Sequence, residues 1–243
     1  MNPRLHGGTN ECGVIRDFDL DIMGLKFNNM LGHGYGFLLN QCCIHLFPKN
    51  SIDKELKKVK VKGSAIETLP IFIKDKFGED GYRKWFDSLS SEAQGTYKNK
   101  ILASAWYPLK QTLSEPTQKV CNLFYGGDLK GAWENGRFSA ERGLKGVYKM
   151  FIKIGSAQFL IKKASTILPT YYEPSHIDIM EMGDKNALLH ITQFEDADVI
   201  IDNRIGGWVE RALEISGCKN VKVNIQKSLA KGDPVTELNL SWH

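Results

Sequence analysis

Residues 176–194 read HIDIMEMGDKNALLHITQF, and the turn residues Gly183-Asp184-Lys185 divide this stretch into two short runs. Each run, 176–182 and 187–194, has the length of a strand and contains the β-branched or aromatic residues that strands favour. The stretch therefore predicts a β-hairpin.

A second hairpin is predicted at the C-terminal end of the sequence. Residues 221–226 (VKVNIQ) and 237–242 (ELNLSW) both alternate apolar and polar side chains, and the turn sequence KGDP at 231–234 lies between them. Between the two hairpins, an amphipathic pattern from about Ala197 to Ser216 predicts one long helix, with Gly217 after its end. The C-terminal part of the chain thus has the predicted order β-β-α-β-β.

The preceding part of the chain has mostly helical patterns. Ser64-Ala65-Ile66-Glu67 matches a capping box, which places a helix start at Ser64. Gly78 is placed to end that helix, and Pro116 interrupts or restarts a later one. Helices followed by two hairpins predict the α+β class, in which N-terminal helices pack with a C-terminal antiparallel sheet.

Composition and charge exclude several classes of protein. The chain has 243 residues, is 42% hydrophobic and carries a net charge of +4, so it is neither disordered nor fibrous. Its densest basic run, Lys54 to Lys62, contains no arginine and no aromatic residue, which argues against a nucleic-acid partner. In an extended segment Lys58, Lys60 and Lys62 share one side. This pattern predicts a solvated edge strand, and the alternative is a surface for an anionic partner.

The N-terminal region differs in composition from the rest. The first 50 residues hold only 4 of the 32 basic residues and show no regular hydrophobic period. We expect residues 1–52 to be a weakly structured extension, or the product of a start codon set too far upstream, and residues 53–243 to form a single α+β domain. The longest apolar run, Phe37 to Phe47, is short and interrupted, so we expect a cytoplasmic protein without a membrane span.

The sequence contains none of the common patterns of catalytic or metal sites. No Gly-x-Ser-x-Gly, phosphate-binding loop or dinucleotide-binding glycine motif occurs. The cysteines and histidines of the first 50 residues include zinc-ligand atoms but lack the spacing at which two ligands converge from one turn. We therefore expect no enzyme and no metal site.

Large aromatic residues and one glycine pair are the candidate site. At helical spacing such rings are usually core, but buried Tyr and Trp also suit a pocket for a ligand that is partly apolar and partly polar. Each glycine of the pair at 206–207 costs roughly 1 kcal/mol in a helix, which indicates close approach by another helix, by the sheet or by a ligand. The candidate pocket residues are Trp106, Tyr107, Tyr148, Phe151, Phe159, Tyr171, Tyr172, Gly206, Gly207 and Trp208.

Four segments carry a family resemblance: Ser104–Pro108 (SAWYP), 138–144 (FSAERGL), 207–214 (GWVERALE) and 231–242. They resemble the uncharacterised domain family expanded in myxobacteria, which is related to vinyl-4-reductase-like domains, TRAPP trafficking subunits and haem nitric-oxide-binding domains. The resemblance covers about Lys62 to Trp242. It implies a helical and antiparallel-sheet fold with a cavity that holds haem, acyl chains or unidentified small molecules in relatives.

The resemblance does not extend to the haem-binding residues. Haem nitric-oxide-binding relatives carry Tyr-x-Ser-x-Arg on a strand and a proximal histidine upstream of it. The corresponding strand at 190–194 reads HITQF, and residues 128–168 contain no histidine. We therefore expect no haem and no cofactor.

These observations favour a non-catalytic sensor or carrier domain for a small apolar or lipid-like molecule. The expected pocket lies between the helices from Trp106 to Phe159 and the C-terminal sheet. The alternative is a structural or interaction protein that forms a homodimer or docks a partner as TRAPP subunits do, and a haem-based gas sensor is a third, less favoured hypothesis.

Overall fold

The computed structural model describes residues 58–144, 157–194, 196 and 198–243, so the predicted extension lies outside the described residues. Two short segments are a π-helix at Lys110–Ser114 and a 3-10 helix at Leu229–Lys231. The α-helices, in chain order, are α1 (Gly63–Ile66), α2 (Thr68–Asp87), α3 (Ser91–Lys98), α4 (Glu115–Phe124), α5 (Lys130–Leu144), α6 (Ala157–Lys162), α7 (Ala164–Tyr171) and α8 (Val199–Ile215). The strands are β1 (Lys60–Lys62), β2 (Trp106–Pro108), β3 (Tyr172–Glu173), β4 (His176–Met182), β5 (Asn186–Thr192), β6 (Lys222–Lys227) and β7 (Thr236–Ser241).

The C-terminal half confirms the predicted β-β-α-β-β order and the α+β class. Strands β4, β5, β7 and β6 form a four-stranded antiparallel sheet in that spatial order. Helix α8 connects the two hairpins, and the Asp198 side chain caps it by accepting a hydrogen bond from the Ile201 amide at 3.0 Å. Gly217 follows the helix with a positive φ of 102°, which glycine adopts without steric cost.

The lysine-rich segment forms the middle strand of a second sheet, so the predicted edge strand is wrong. Strand β1 lies between β2 and β3, with Lys60 opposite Pro108 on one side and Glu173 on the other. The predicted alternation is correct, because Val59 and Val61 are buried while Lys60 is exposed. Local pattern identifies the two faces of a strand but not its neighbours, which here come from distant parts of the chain.

The first helices begin differently from the prediction. Strand β1 leads directly into α1, whose N-cap is Lys62, and the Ser64 amide donates to the Ala103 carbonyl at 3.0 Å. The capping box is therefore absent, because the Ser64 amide has this tertiary partner and the Glu67 amide donates to the Gly63 carbonyl at 3.0 Å. Gly78 does interrupt the helical pattern as predicted, since its φ of 71° divides α2 at a kink. Pro116 restarts the helix, in the first turn of α4.

Helices α5 and α8 pack with their backbones in close contact at three glycines. A Cβ atom on Gly207 would lie 2.1 Å from the carbonyl oxygen of Trp133, and one on Gly136 would lie 2.0 Å from that of Arg204. A Cβ atom on Gly206 would meet the Trp133 ring at 2.5 Å. The glycine pair at 206–207 therefore serves the approach of another helix, one of the readings that the sequence left open.

We expect Gly207→Ala to lower the free energy of unfolding by about 1–3 kcal/mol, the usual cost of overpacking. The added methyl group meets backbone atoms, which cannot rotate away as a flexible side chain can. Urea unfolding followed by circular dichroism measures the change.

Gly95→Ala is the matched control, because Gly95 is an exposed helical glycine with no atom within 4 Å of an added Cβ. Its higher helix propensity should raise the free energy of unfolding by up to about 1 kcal/mol. If Gly207→Ala raises the free energy of unfolding as much as Gly95→Ala does, helices α5 and α8 are not in backbone contact.

Candidate functional site

A cavity lies among helices α6, α7 and α8 and strands β4 and β5. It is partly open and provides about 70 Å³ of space for the centres of water-sized spheres. A single water needs roughly 10–15 Å³ on this measure, so the cavity has room for about five to seven atoms of that size. Most of its wall is apolar, formed by Leu160, Ile161, Ala164, Ile167, Leu168, Ile177, Leu189, Ile205, Val209, Ala212 and Leu213.

One wall of the cavity is polar and is organised by Arg204, which is only 2% exposed. Its Nε donates to Asn135 Oδ1 at 2.8 Å, and its Nη1 donates to the Tyr172 hydroxyl at 2.8 Å. Its Nη2 donates to the Ala65 carbonyl at 3.0 Å and to Ser139 Oγ at 3.1 Å. Helices α1, α5 and α8 and strand β3 thus meet at one guanidinium group.

The partners of this guanidinium are all neutral. No carboxylate of the described ranges forms a salt bridge with Arg204. Beside it, the amide nitrogen of Asn135 is fully buried and has no hydrogen-bond partner within the described part of the chain. Burying a cation is costly unless a counter-charge compensates for it, so this wall has an excess of positive charge and of donors.

Three of the residues predicted for the pocket line this cavity. Tyr171 ends helix α7, Tyr172 begins strand β3, and Trp208 lies one helical turn after Arg204 on α8. The rings of Tyr171 and Trp208 lie 6.4 Å apart, as in an aromatic pair. The structure therefore brings these three aromatic residues together at the cavity.

Five of the predicted residues lie elsewhere. Trp106 and Tyr107 belong to β2, where Lys62 Nζ lies 4.2 Å from the Trp106 ring centre and the Tyr107 hydroxyl accepts from the Leu102 amide at 2.9 Å. The remaining three are Phe159, which is 39% exposed on α6, and the glycines 206 and 207, which face Trp133.

Tyr148 and Phe151, the last two residues predicted for the pocket, lie outside the described residues.

The sequence prediction missed Arg204 and Ser139. A signal for Arg204 was present, since it lies three residues after Ile201 and four before Trp208, on the apolar face of α8. A charged residue in that position must find buried partners or a ligand. No such signal marks Ser139, which is brought to the cavity only by the packing of α5 on α8.

Two other reactive side chains of the described chain, Cys121 and His190, do not line the cavity. Burial raises the pKa of the Cys121 thiol, which disfavours the reactive thiolate. His190 Nε2 lies 2.6 Å from Glu237 Oε2 on the sheet, and neither residue lines the cavity. Within the described ranges no group of three or more potential ligands could hold a metal ion, and no helix is long and apolar enough to cross a membrane.

Comparison of this fold with solved structures shows consistent similarity to one group. An H-NOX (haem nitric oxide/oxygen binding) protein from S. oneidensis in the Fe(II)NO ligation state gives a TM-score of 0.59 at 12% identity, over 75% of this chain and 99% of that chain. An unliganded Fe(II) H-NOX protein from K. algicida gives a TM-score of 0.57 at 9% identity, over 75% of this chain and 96% of that chain. The chain has an H-NOX-like fold. The H-NOX from Shewanella woodyi gives a TM-score of 0.55 at 14% identity, over 74% of this chain and 93% of that chain.

These similarities support the resemblance at the level of fold. No protein-family model matches the sequence, and no curated protein is significantly similar to it. The resemblance to the family expanded in myxobacteria therefore stays a prediction. At such low identity, the H-NOX-like fold does not transfer a ligand, so the cavity has to be compared with haem by its own chemistry.

The described cavity wall lacks the commonest haem ligands. Haem iron takes an axial His, Cys, Met or Tyr, and the described wall contains no His, Cys or Met, while the hydroxyl of one of its two tyrosines, Tyr172, accepts a hydrogen bond from Arg204. His176 is exposed and lies 3.0 Å from Asp178, while its neighbour Ile177 lines the cavity. Because successive strand residues face opposite sides, His176 points away from the cavity.

We expect no stoichiometric haem binding, because the described wall lacks a histidine, cysteine or methionine that could ligate the iron. The protein is mixed with excess hemin and desalted, and its absorption spectrum is recorded, with His176→Ala as the control variant. A stoichiometric Soret band that shifts on addition of nitric oxide and disappears in His176→Ala would contradict this expectation.

Proposed function

We propose that this protein is a non-catalytic sensor or carrier domain that binds a small, largely apolar molecule in the cavity among α6, α7, α8 and the sheet. The observation that carries the proposal is the cavity itself, whose wall is mostly aliphatic. A pocket between helices and sheet, largely apolar with a few convergent polar groups, is the usual form of a small-molecule site.

The apolar wall favours an apolar ligand over water. Water in a cavity needs about two to four polar partners, and most of this wall offers none. Transfer of a hydrocarbon chain from water into such a space is favourable by roughly 25 cal/mol per Å² of apolar surface removed from water. A ligand with an aliphatic or aromatic body therefore gains binding free energy when it enters this cavity.

The proposal of binding without catalysis rests on the chemistry of the wall. Apart from Arg204, the lining side chains in the described ranges are aliphatic, aromatic or hydroxyl-bearing. None of them is a carboxylate, histidine or cysteine that could transfer a proton or attack a substrate near neutral pH. The cavity offers space and donors, which are the properties of a binding site.

We expect Ala164→Phe to abolish the binding of small apolar molecules. Ala164 lines the cavity, so a phenyl ring at this position occupies the space that a ligand would use. Toluene is the probe, because its seven carbon atoms match the roughly five to seven water-sized atoms that the cavity accommodates. Saturation-transfer NMR of toluene with the full-length protein should show binding that Ala164→Phe removes.

Ser165→Phe is the matched control. Ser165 follows Ala164 on the same helix, is exposed and does not line the cavity, so the same ring should leave toluene binding unchanged. Equal loss of toluene binding in Ala164→Phe and Ser165→Phe, or unchanged toluene binding in both, would contradict a site in this cavity. Native mass spectrometry of the parent protein tests the alternative function, since a ligand-free homodimer would favour an assembly protein.

A further inference from the structure

The polar wall of the cavity has free donors and no free acceptor to match them. A guanidinium group has five N–H donors, and Arg204 uses four of them in hydrogen bonds to described residues. The hydroxyls of Tyr172 and Ser139 each accept from Arg204, and neither donates to another described residue. One N–H group and two O–H groups at the cavity wall are thus available to a ligand.

The charge of this wall selects the kind of ligand. Arg204 is buried, and its hydrogen-bond partners are an amide, two hydroxyls and a carbonyl, all of which are neutral. Hydroxyls that accept from a cation become better donors to an anion, since hydrogen bonds in a chain polarise one another. The group that best satisfies a single cation and three free donors is a singly charged anion with several acceptor sites.

We propose that the ligand is a medium-chain monocarboxylate, with its carboxylate on Arg204, Tyr172 and Ser139 and its hydrocarbon chain against the aliphatic wall. This inference rests on the proposed function, because it adds a headgroup to the apolar ligand of the same cavity. A carboxylate supplies about four acceptor sites and balances one positive charge. A doubly charged phosphate would leave one negative charge without a partner in the wall.

The volume of the cavity limits how much of the ligand's hydrocarbon chain it can hold. With room for about five to seven water-sized atoms, it holds the carboxylate and about two to four carbons, and because the cavity is partly open a longer chain can extend out of it. Octanoate is the probe, and 1-octanol and octylamine carry the same chain with a neutral and a cationic headgroup. Comparison of the three separates the contribution of the headgroup from that of the chain.

The competing explanation is that Arg204 is only a structural clamp between helices α1, α5 and α8. A clamp would give no preference among the three headgroups. The preference, measured as the ratio of dissociation constants, therefore distinguishes a ligand-binding arginine from a purely structural one.

The experiment measures the dissociation constants of the three probes for the full-length protein by NMR titration. We expect octanoate to bind about 10- to 100-fold more tightly than 1-octanol, as a hydrogen-bonded charged headgroup would produce, and octylamine to bind most weakly. Arg204→Gln should remove the preference for octanoate. Arg211→Gln is the matched control on the same helix, since Arg211 pairs with Glu214 and Glu141 and does not line the cavity.

Two conservative variants keep the test decisive if Arg204→Gln does not fold. Tyr172→Phe and Ser139→Ala each remove one free hydroxyl donor and retain the charge, so each should weaken octanoate binding more than 1-octanol binding. Equal affinity of the parent protein for octanoate and 1-octanol would overturn the carboxylate proposal and leave the apolar site intact. Failure of both probes to bind, together with failure of toluene, would overturn the proposed function as well.

Discussion

The backbone contact between α5 and α8 is the constraint on which the candidate site depends. Gly136 lies against the carbonyl of Arg204, and Gly207 lies against the carbonyl of Trp133, so neither position has room for a side chain. This approach brings Asn135 and Ser139 within hydrogen-bond distance of the Arg204 side chain. Helices separated by ordinary side chains, with axes 8–10 Å apart, would leave a buried guanidinium without these partners.

The polar wall that results connects the stability of the fold with binding. Arg204 joins α1, α5, α8 and β3 through neutral partners, so no counter-charge among its described hydrogen-bond partners offsets the cost of burying its guanidinium. Any ligand that binds only the folded state stabilises it in proportion to RT ln(1 + [L]/Kd). An anion at this wall would therefore both occupy the cavity and strengthen the junction of four elements.

The parts of the fold that depend on local pattern could be predicted from the sequence, and the parts that depend on distant neighbours could not. The hairpins and the long helix α8 follow from alternation and helical period, and Gly78 marks its kink through its backbone conformation. The middle position of β1 depends on pairing with remote strands, so its lysines suggested an edge. The site divides in the same way: Trp208 was identifiable as a large ring on α8, whereas Ser139 reaches the cavity only through helix packing.

The H-NOX-like fold and the chemistry of the cavity lead to different expectations about the ligand. The fold is shared with proteins whose structures are described in Fe(II) ligation states, at 9–14% identity. In this chain the described wall contains the Arg204 guanidinium and three hydroxyl-bearing residues, Ser139, Tyr171 and Tyr172, but no histidine, cysteine or methionine. A guanidinium is a cation that donates hydrogen bonds and has no lone pair for a metal, which is the chemical basis of the proposed anionic headgroup.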